Sequence, residues 1–411
     1  MVNPKYSLIV FGATSFVGQI LCRYLVEQFG VSGNLKWAAA ARSDAKLRSL
    51  RDDMGPRAAE LPLLVADAAD EASLKSLCAQ TRVVISTVGP YALHGEPLVK
   101  VCAESGTDYC DLSGEVQWIR KMIARYESAA QRSGARIVHC CGFDSIPSDL
   151  GVFFLQQQAK ERFGQPCTRI KMRVKALAGA VSGGTVASLM NVVKEAANDA
   201  ALRRELANPY SICPADHGFT ARQMDLNTAQ YDTDFRTWIA PFVMAGINSR
   251  VVHRTNALSK KAYGGDFKYD EATMTKPRLK GWLTAQGVAI GIAGFLLATA
   301  LPPSRWVIER FLVPKPGEGP SPAAQERGFY DLRFFGTTAS GQSLRVKVTG
   351  DRDPGYGSTA KMLGQAGACL ALEIAKSDCP GGFWTPATVF GERLIKRLTA
   401  HAGLSFEVLA A

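Results

Sequence analysis

SLIVFGATSFVG, residues 7–18, decides the fold. Its first five residues are mostly apolar and make a buried strand. The chain then turns at Gly12 and enters a helix whose apolar face is Val17, Ile20, Leu21, Tyr24 and Leu25. Strand, glycine turn and helix in that order make a phosphate-binding start. Gly12 lets the backbone approach a pyrophosphate, the helix start offers N–H groups and a partial positive charge, and Gly18 lets the helix lie tight on the strand. The pattern is G-x-x-S-x-x-G, with Ser15 where a middle glycine is usual. On this reading Gly12, Ala13, Thr14, Ser15, Phe16, Val17 and Gly18 hold a phosphorylated cofactor.

Working outward, LKWAAAA (Leu35–Ala41) is a second strand ending at Arg42 and Ser43. A dinucleotide enzyme reads the adenosine ribose here, with an acidic side chain for a free hydroxyl or a cation for a phosphate. Arg42, Ser43 and Lys46 face a single acid, Asp44, and a guanidinium matches a phosphate as a two-pronged donor. The expected cofactor is therefore NADP. Further strands follow at Leu61–Ala66, ending at Asp67, and at Val83–Thr87, Asp108–Leu112 and Arg136–Cys140. Helices run between them near Ser73–Ala79, from Pro97 to a stop at Gly106, and over Val116–Ser133. Such alternation argues α/β: an N-terminal Rossmann-type, doubly wound parallel sheet over residues 1–145. The loop after the fourth strand lies where a nicotinamide belongs. Asp67, Thr87 and Gly89 complete the expected cofactor set.

With 411 residues, 47% of them hydrophobic, the chain can bury a large core and has room for a second domain. Its 48 Lys+Arg against 37 Asp+Glu leave a net charge of +11, which favours anionic partners such as phosphorylated cofactors or acidic lipid. No basic run is dense enough to argue for nucleic acid. The ten cysteines are scattered through apolar segments with no C-x-x-C pair and no histidine at ligand spacing. They read as reduced thiols, and no metal site is expected. The first apolar run is too short for a signal peptide and is claimed by the strand, so the cytoplasm is the expected compartment.

Beyond residue 145 the reading is an α+β domain, 146–355. Strands are expected at Arg169–Leu177, Ser249–Leu258 and Phe267–Met274, and a hairpin at Phe329–Phe335 and Ser343–Thr349 around Gly341. Residues 203–248 are polar and irregular. From Gly281 to Ser304 there is no charged residue, and Val288–Leu301 is almost wholly apolar. Lys276, Arg278 and Lys280 precede this run, and Arg305, Arg310 and Lys315 follow it. Its glycines and the short well-apolar part argue for an interfacial or hairpin-like contact with the membrane surface rather than a span. The expected location is peripheral, on the cytoplasmic face. A linker rich in proline and glycine, Pro314–Pro322, precedes the hairpin, and a helix over Ser358–Lys376 follows it.

Several motifs carry a resemblance. GPY (Gly89–Tyr91), GEP (Gly95–Pro97), DLSGE (Asp111–Glu115) and above all CGFDSIPSDLG (Cys141–Gly151) resemble the saccharopine dehydrogenase-like oxidoreductases. VSGGT (Val181–Thr185), VVHRTNAL (Val251–Leu258), PKPGEGPS (Pro314–Ser321), QERG (Gln325–Gly328) and GGFWTPA (Gly381–Ala387) extend the likeness over nearly the whole chain. Within that group the chain most resembles the bacterial trans-acting enoyl reductases, and more distantly the animal saccharopine dehydrogenase-like membrane proteins. The resemblance implies an NAD(P)H-dependent oxidoreductase acting on a lipid- or polyketide-linked enoyl substrate in glycolipid metabolism. It also implies a C-terminal helical region, 356–411, packing back on the nucleotide domain. Two alternatives are a non-catalytic lipid-associated protein of the same fold and a saccharopine-type imine reductase. A homo-oligomer is left open.

Enoyl reduction needs a ring held rigidly against its substrate, a donor near the atom that gains charge, and little water. Tyr91 is the first choice as donor, and its ring can equally well pack under the nicotinamide. His94, on the same loop, has the pKa range of a proton carrier. Asp144 either orients the substrate or caps the helix that begins near Pro147. Gly183 and Gly184 leave N–H groups open at a helix start, for a thioester oxygen or as a plain turn. No nucleophile elbow supports a serine hydrolase.

Overall fold

Five short strands buried over most of their length and one partly exposed edge strand, with helices filling the connections, make the first sheet. They are β1 (Tyr6–Phe11), β2 (Trp37–Ala41), β3 (Leu63–Val65), β4 (Thr81–Ser86), β5 (Asp108–Asp111) and β6 (Arg136–Val138). All pair in parallel, in the order β6-β5-β4-β1-β2-β3. Strand order reverses between β1 and β4, and open sheets of this kind bind ligands in the crevice at the carboxyl ends of such a pair. The structure, a computed structural model, describes residues 4–179, 183–311 and 319–410.

The second sheet is mixed. Its strands are β7 (Cys167–Ala178), β8 (Gln230–Asp232), β9 (Thr237–Pro241), β10 (Lys268–Met274), β11 (Phe329–Thr338) and β12 (Ser343–Gly350). Two later strands follow, β13 (Gly382–Trp384) and β14 (Leu404–Val408). β14 closes the second sheet in the order β14-β12-β11-β7-β10-β9-β8, whereas β13 pairs with β6 and extends the first. In β11 and β12 buried residues alternate with half-exposed ones, so one face is core. That face meets the helix Ile146–Phe163, where a Cβ on Gly151 would lie 2.4 Å from Phe334 Cζ.

The chain crosses between the sheets more than once. The helix Gly357–Leu372 is buried almost throughout and packs on the helix Phe16–Phe29 and on β1 and β4. Its glycines allow that approach: a Cβ on Gly367 would stand 2.4 Å from Ile85 Cδ1, and one on Gly364 3.0 Å from Leu21 Cδ1. Residues 356–411 are therefore divided, the helix and β13 belonging to the first sheet and β14 to the second. The region expected to be helical thus holds two strands beside its helices.

The segment expected as a strand, Ser249–Leu258, is part of a helix, Ala245–Leu258. The β-branched VVHRT run argues strand by propensity, but the helix is buried nearly all round, so no 3.6-residue stripe shows in the sequence. Several of its polar residues reach tertiary partners, while Asn248 Oδ1 and His253 Nε2 are buried without one among the described residues. Asn248 Nδ2 donates to Glu271 Oε2 at 2.9 Å, and the Thr255 hydroxyl donates to Asp149 Oδ1 at 2.6 Å. The irregular stretch 203–248 holds β8, β9 and the end of the helix Ala200–Ala207. The uncharged run lies in one helix, Arg278–Ala300, followed by the helix Pro302–Phe311. Val181, Ser182 and residues 314–318 of the expected linker lie outside the described residues.

Replacing Gly367 by valine forces two γ carbons into the contact with Ile85. The expected outcome is a loss of about 1–3 kcal/mol of stability, the usual cost of overpacking a core. Thermal or urea unfolding of Gly367→Val against wild type measures it.

Candidate active site

At the switch point the phosphate turn is tied to β4 by side chains. Gly12 adopts φ +90°, and a Cβ there would stand 2.7 Å from Thr87 Oγ1 and 2.8 Å from Val88 Cγ2, so only glycine suits the position. The Thr87 hydroxyl donates to the Gly12 carbonyl at 2.9 Å and accepts the Ser15 hydroxyl at 3.0 Å. Ser15 also caps the helix Phe16–Phe29, its Oγ accepting Gly18 N–H at 3.0 Å. The serine in place of the usual glycine thus fastens the turn. Phe16 and Val17, whose first-turn N–H groups have no intrahelical partner, line the crevice with Gly12, Thr14 and Ser15. Ala13 and Gly18 lie beneath it, fully buried.

A cavity of about 1310 Å³ runs from this turn into the second domain. Arg42, Lys46 and Asp67 line its adenosine end, and Thr87 and Gly89 its middle. Arg42 and Lys46 are exposed, and neither is in a salt bridge among the described residues. Asp44 is taken by Arg48 at 2.7 Å. Ser43 does not line the cavity: its hydroxyl caps the helix Asp44–Asp53, accepting Lys46 N–H at 3.3 Å.

Tyr91 lines the middle of the cavity, but its hydroxyl is spent. It donates to the Ser86 carbonyl at 2.9 Å and accepts Leu112 N–H at 3.1 Å, joining the ends of β4 and β5. Burial, with Asp111 nearby, pushes its pKa well above the usual tyrosine range. The role of donor expected for this hydroxyl is therefore corrected, and the ring is tilted against Trp118 at 5.5 Å. His94 sits exposed at the rim, at the end of the short helix Tyr91–His94.

Asp144 lines the cavity and does not cap the following helix. The N-cap is Ser145, and no side chain caps that helix start. Among the described residues the Asp144 carboxyl has no hydrogen-bond partner, and burial followed by the charge of Glu271 raises its pKa to about 7. Glu271 itself is buried behind it, accepting the Tyr269 hydroxyl at 2.6 Å and Asn248 Nδ2 at 2.9 Å. A Cβ on Gly114 would meet Asp144 Oδ2 at 3.5 Å and Ile247 Cγ2 at 4.0 Å, so the carboxyl stands where the β5 loop meets the second domain.

Glu115, the last residue of DLSGE, has no local sequence signal for its role, which is set by distant partners. Its Oε1 accepts Tyr91 N–H at 2.8 Å and the Ser188 hydroxyl at 2.8 Å, and its Oε2 accepts Ala92 N–H at 2.9 Å. A carboxylate on these N–H groups holds the loop after β4 in place and couples it to the helix Gly183–Asn198. Gly183 and Gly184 line the same cavity, with the Gly183 N–H donated to the Tyr356 hydroxyl at 2.9 Å.

The far wall is apolar: Leu189, Val192, Leu206, Val243, Met244 and Ile247. Arg250 is the cation of this region, and its guanidinium is spread over the Ser211 hydroxyl at 3.2 Å and the Gly246 and Leu206 carbonyls. The arrangement can hold a dinucleotide at one end and an extended apolar chain at the other, with Asp144 between. Among the described residues no cluster could hold a metal ion.

Residues 8–138 match the family model of the saccharopine dehydrogenase NADP binding domain. Over its full length the chain is 39% identical to a provisionally named trans-acting enoyl reductase of Mycobacterium tuberculosis, covering 98% of this chain and 97% of that one. It is 36% identical to a further trans-acting enoyl reductase of that organism, and 34% to one of Mycobacterium ulcerans, each over 96% of both chains. The chain belongs to the saccharopine dehydrogenase-like trans-acting enoyl reductases. It is an NADP-dependent oxidoreductase. The fold is shared with apo saccharopine dehydrogenase (L-Glu forming) of Saccharomyces cerevisiae, with a TM-score of 0.54 at 14% identity over 98% of this chain and 99% of that one. The glycine turn without room for a Cβ and the unpaired Arg42 and Lys46 suit the 2′-phosphorylated dinucleotide of this family.

Arg42→Glu sets a repelling charge against that phosphate. NADPH affinity by calorimetry is expected to fall at least about tenfold, a loss of 1.4 kcal/mol or more, while NADH affinity stays near its wild-type value.

Proposed function

We propose that this enzyme reduces the carbon–carbon double bond of an enoyl thioester on a lipid- or polyketide-linked acyl chain, with Asp144 as the proton donor. The observation that carries the proposal is the junction: one cavity joins the dinucleotide crevice to an apolar wall, with an unpartnered carboxyl between them. The names of the relatives support the reaction class. NADPH supplies the hydride received by the β-carbon.

Each residue then has a task. Thr87, Gly89 and the Tyr91 ring shape the middle of the crevice, and Glu115 holds their loop still through Tyr91 N–H and Ala92 N–H. Leu189, Val192, Met244 and Ile247 take the acyl chain and exclude water. The start of the helix Gly183–Asn198 offers a positive dipole end to the thioester oxygen as it gains charge. Asp144, protonated below about pH 7, passes its proton to the α-carbon and recovers one from solvent. The C=C bond becomes a C–C bond with one hydride and one proton added. An amino-acid substrate would need cations for its carboxylates, whereas Arg250, the cation among the apolar residues, is engaged by a hydroxyl and two carbonyls.

Because the folded pKa of Asp144 is raised, its acid form is present below about 7 and lost above it. Turnover is therefore expected to fall as pH rises through about 7. Asp144→Asn should lower kcat by about 10²-fold or more and remove that limb, with NADPH affinity unchanged. Wild-type turnover in Asp144→Asn on a short enoyl-thioester substrate would overturn the assignment. Tyr91→Phe behaves oppositely. It should keep kcat within a few-fold of wild type while costing about 1–3 kcal/mol of stability, since the buried Ser86 carbonyl loses its donor and the Leu112 N–H its acceptor.

A further inference from the structure

The helix Arg278–Ala300 has the composition of a core helix and is not in the core. Of its 23 residues, only Gly281, Ala285, Ala289 and Thr299 are buried. The first three, spaced four apart, form a narrow strip of small residues along which the helix leans on β9 and on the helix Gly183–Asn198. Much of its remaining surface is exposed and apolar: Leu279, Leu283, Ile290 and Leu297 are each more than half exposed, and Leu301 and Trp306 continue the patch beyond it. Soluble surfaces rarely carry an apolar area of that continuity without a partner.

Charge names the partner. No Asp or Glu occurs between Glu271 and Glu309, whereas Lys276, Arg278 and Lys280 at one end and Arg305 at the other are cationic. None of these four is in a salt bridge among the described residues, and the first three are exposed. An apolar surface with unpaired cations at both ends complements an anionic lipid surface, where acyl chains meet the first and headgroups the second. A protein partner would have to match a patch that offers little hydrogen-bonding specificity.

The helix is about 34 Å long, enough to cross a hydrocarbon core. Topology forbids a single crossing. β10, just before it, and β11, after it, both pair with the same strand, β7, so the two flanks lie on one side. We infer that the helix Arg278–Ala300, with the start of the helix Pro302–Phe311, is a monotopic docking face that seats this enzyme on anionic lipid bilayers. Leu189 and Val192, which line the cavity, belong to the helix against which the docking helix leans, so the apolar end of the cavity is held close to the lipid surface. The inference does not depend on the enoyl assignment.

The test is flotation of the full chain with vesicles of phosphatidylcholine and phosphatidylglycerol, compared with phosphatidylcholine alone. Wild type is expected to float with the anionic vesicles, and less so in high salt. The double variant Ile290→Glu, Leu297→Glu should lower the bound fraction at least about tenfold, since two side chains leave the lipid. NADPH affinity is the control for folding, because both positions are exposed and distant in sequence from the cofactor turn. Quenching of tryptophan emission in wild type by brominated acyl chains, reporting Trp282 and Trp306, gives a second reading that needs no variant. Absence of wild-type binding to either vesicle, unchanged binding in the double variant, or a wild-type homodimer that the double variant splits would overturn the inference. The last result would make the patch a contact between two copies.

Discussion

One hydroxyl, that of Thr87, sits where the two halves of the nucleotide sheet part, and the geometry of the site depends on it. It donates to the Gly12 carbonyl and accepts the Ser15 hydroxyl, so the turn after β1 is locked to the end of β4. That lock leaves no room for a side chain at residue 12 and sets the angle at which the helix Phe16–Phe29 presents its amino end. The two strands are parallel neighbours in any doubly wound sheet, but nothing in backbone pairing alone fixes how their loops meet. A buried hydroxyl that lost its partner there would cost about 1–3 kcal/mol, which is why a side chain at this crossing holds its loops firmly.

The charges of the first sheet are sorted by end. At the amino ends of β5 and β6, Asp108 and Arg136 form a buried ion pair, and Arg136 reaches the carbonyls of Ile374 and Ala375 at 2.9 and 3.2 Å. Lys376 joins Asp108 at 2.5 Å, so this cluster fastens the chain after the helix Gly357–Leu372 to the sheet. At the carboxyl ends stand Glu115, buried, and Asp144, half-buried on the cavity wall, both with raised pKa. Their surroundings part their roles. Glu115 spends both oxygens on N–H and hydroxyl donors and holds a loop, whereas Asp144 has no donor among the described residues and its pKa is raised to about 7. Hydrogen bonding thus sets apart two carboxyls of like chemistry, one engaged by three donors and the other open to the cavity.

The helix Gly183–Asn198 links the two apolar features of the second domain. One side carries Leu189 and Val192 into the cavity, and the helix Arg278–Ala300 packs along it with its strip of small residues. Small residues on that strip are what allow close packing while leaving the larger side chains outward. The same economy appears in the helix Gly357–Leu372, where glycines at 364 and 367 admit the neighbouring helix and strand. In one case the large residues facing outward meet solvent, and in the other they meet core.

Periodicity and turn chemistry, both local, were legible. The glycine turn, the alternating strands and helices to residue 138, the cation at the end of β2 and the hairpin of β11 and β12 all follow from side-chain spacing that repeats within a few residues. What spacing could not show is any element whose surroundings are the same on every side. The helix Ala245–Leu258 is buried all round and reads as a strand, because amphipathic contrast, the only sequence signal for it, is absent. Site residues divide in the same way. Gly12, Ser15 and Arg42 act through position in a local motif and could be named. The spent hydroxyl of Tyr91, the lone carboxyl of Asp144 and the loop-holding Glu115 are defined by partners up to 127 residues away, as between Asp144 and Glu271. The sequence alone determined which residues carry chemistry; which of them are free to use it was decided by the tertiary structure, because a donor or acceptor already satisfied by a distant partner has nothing left to offer a substrate.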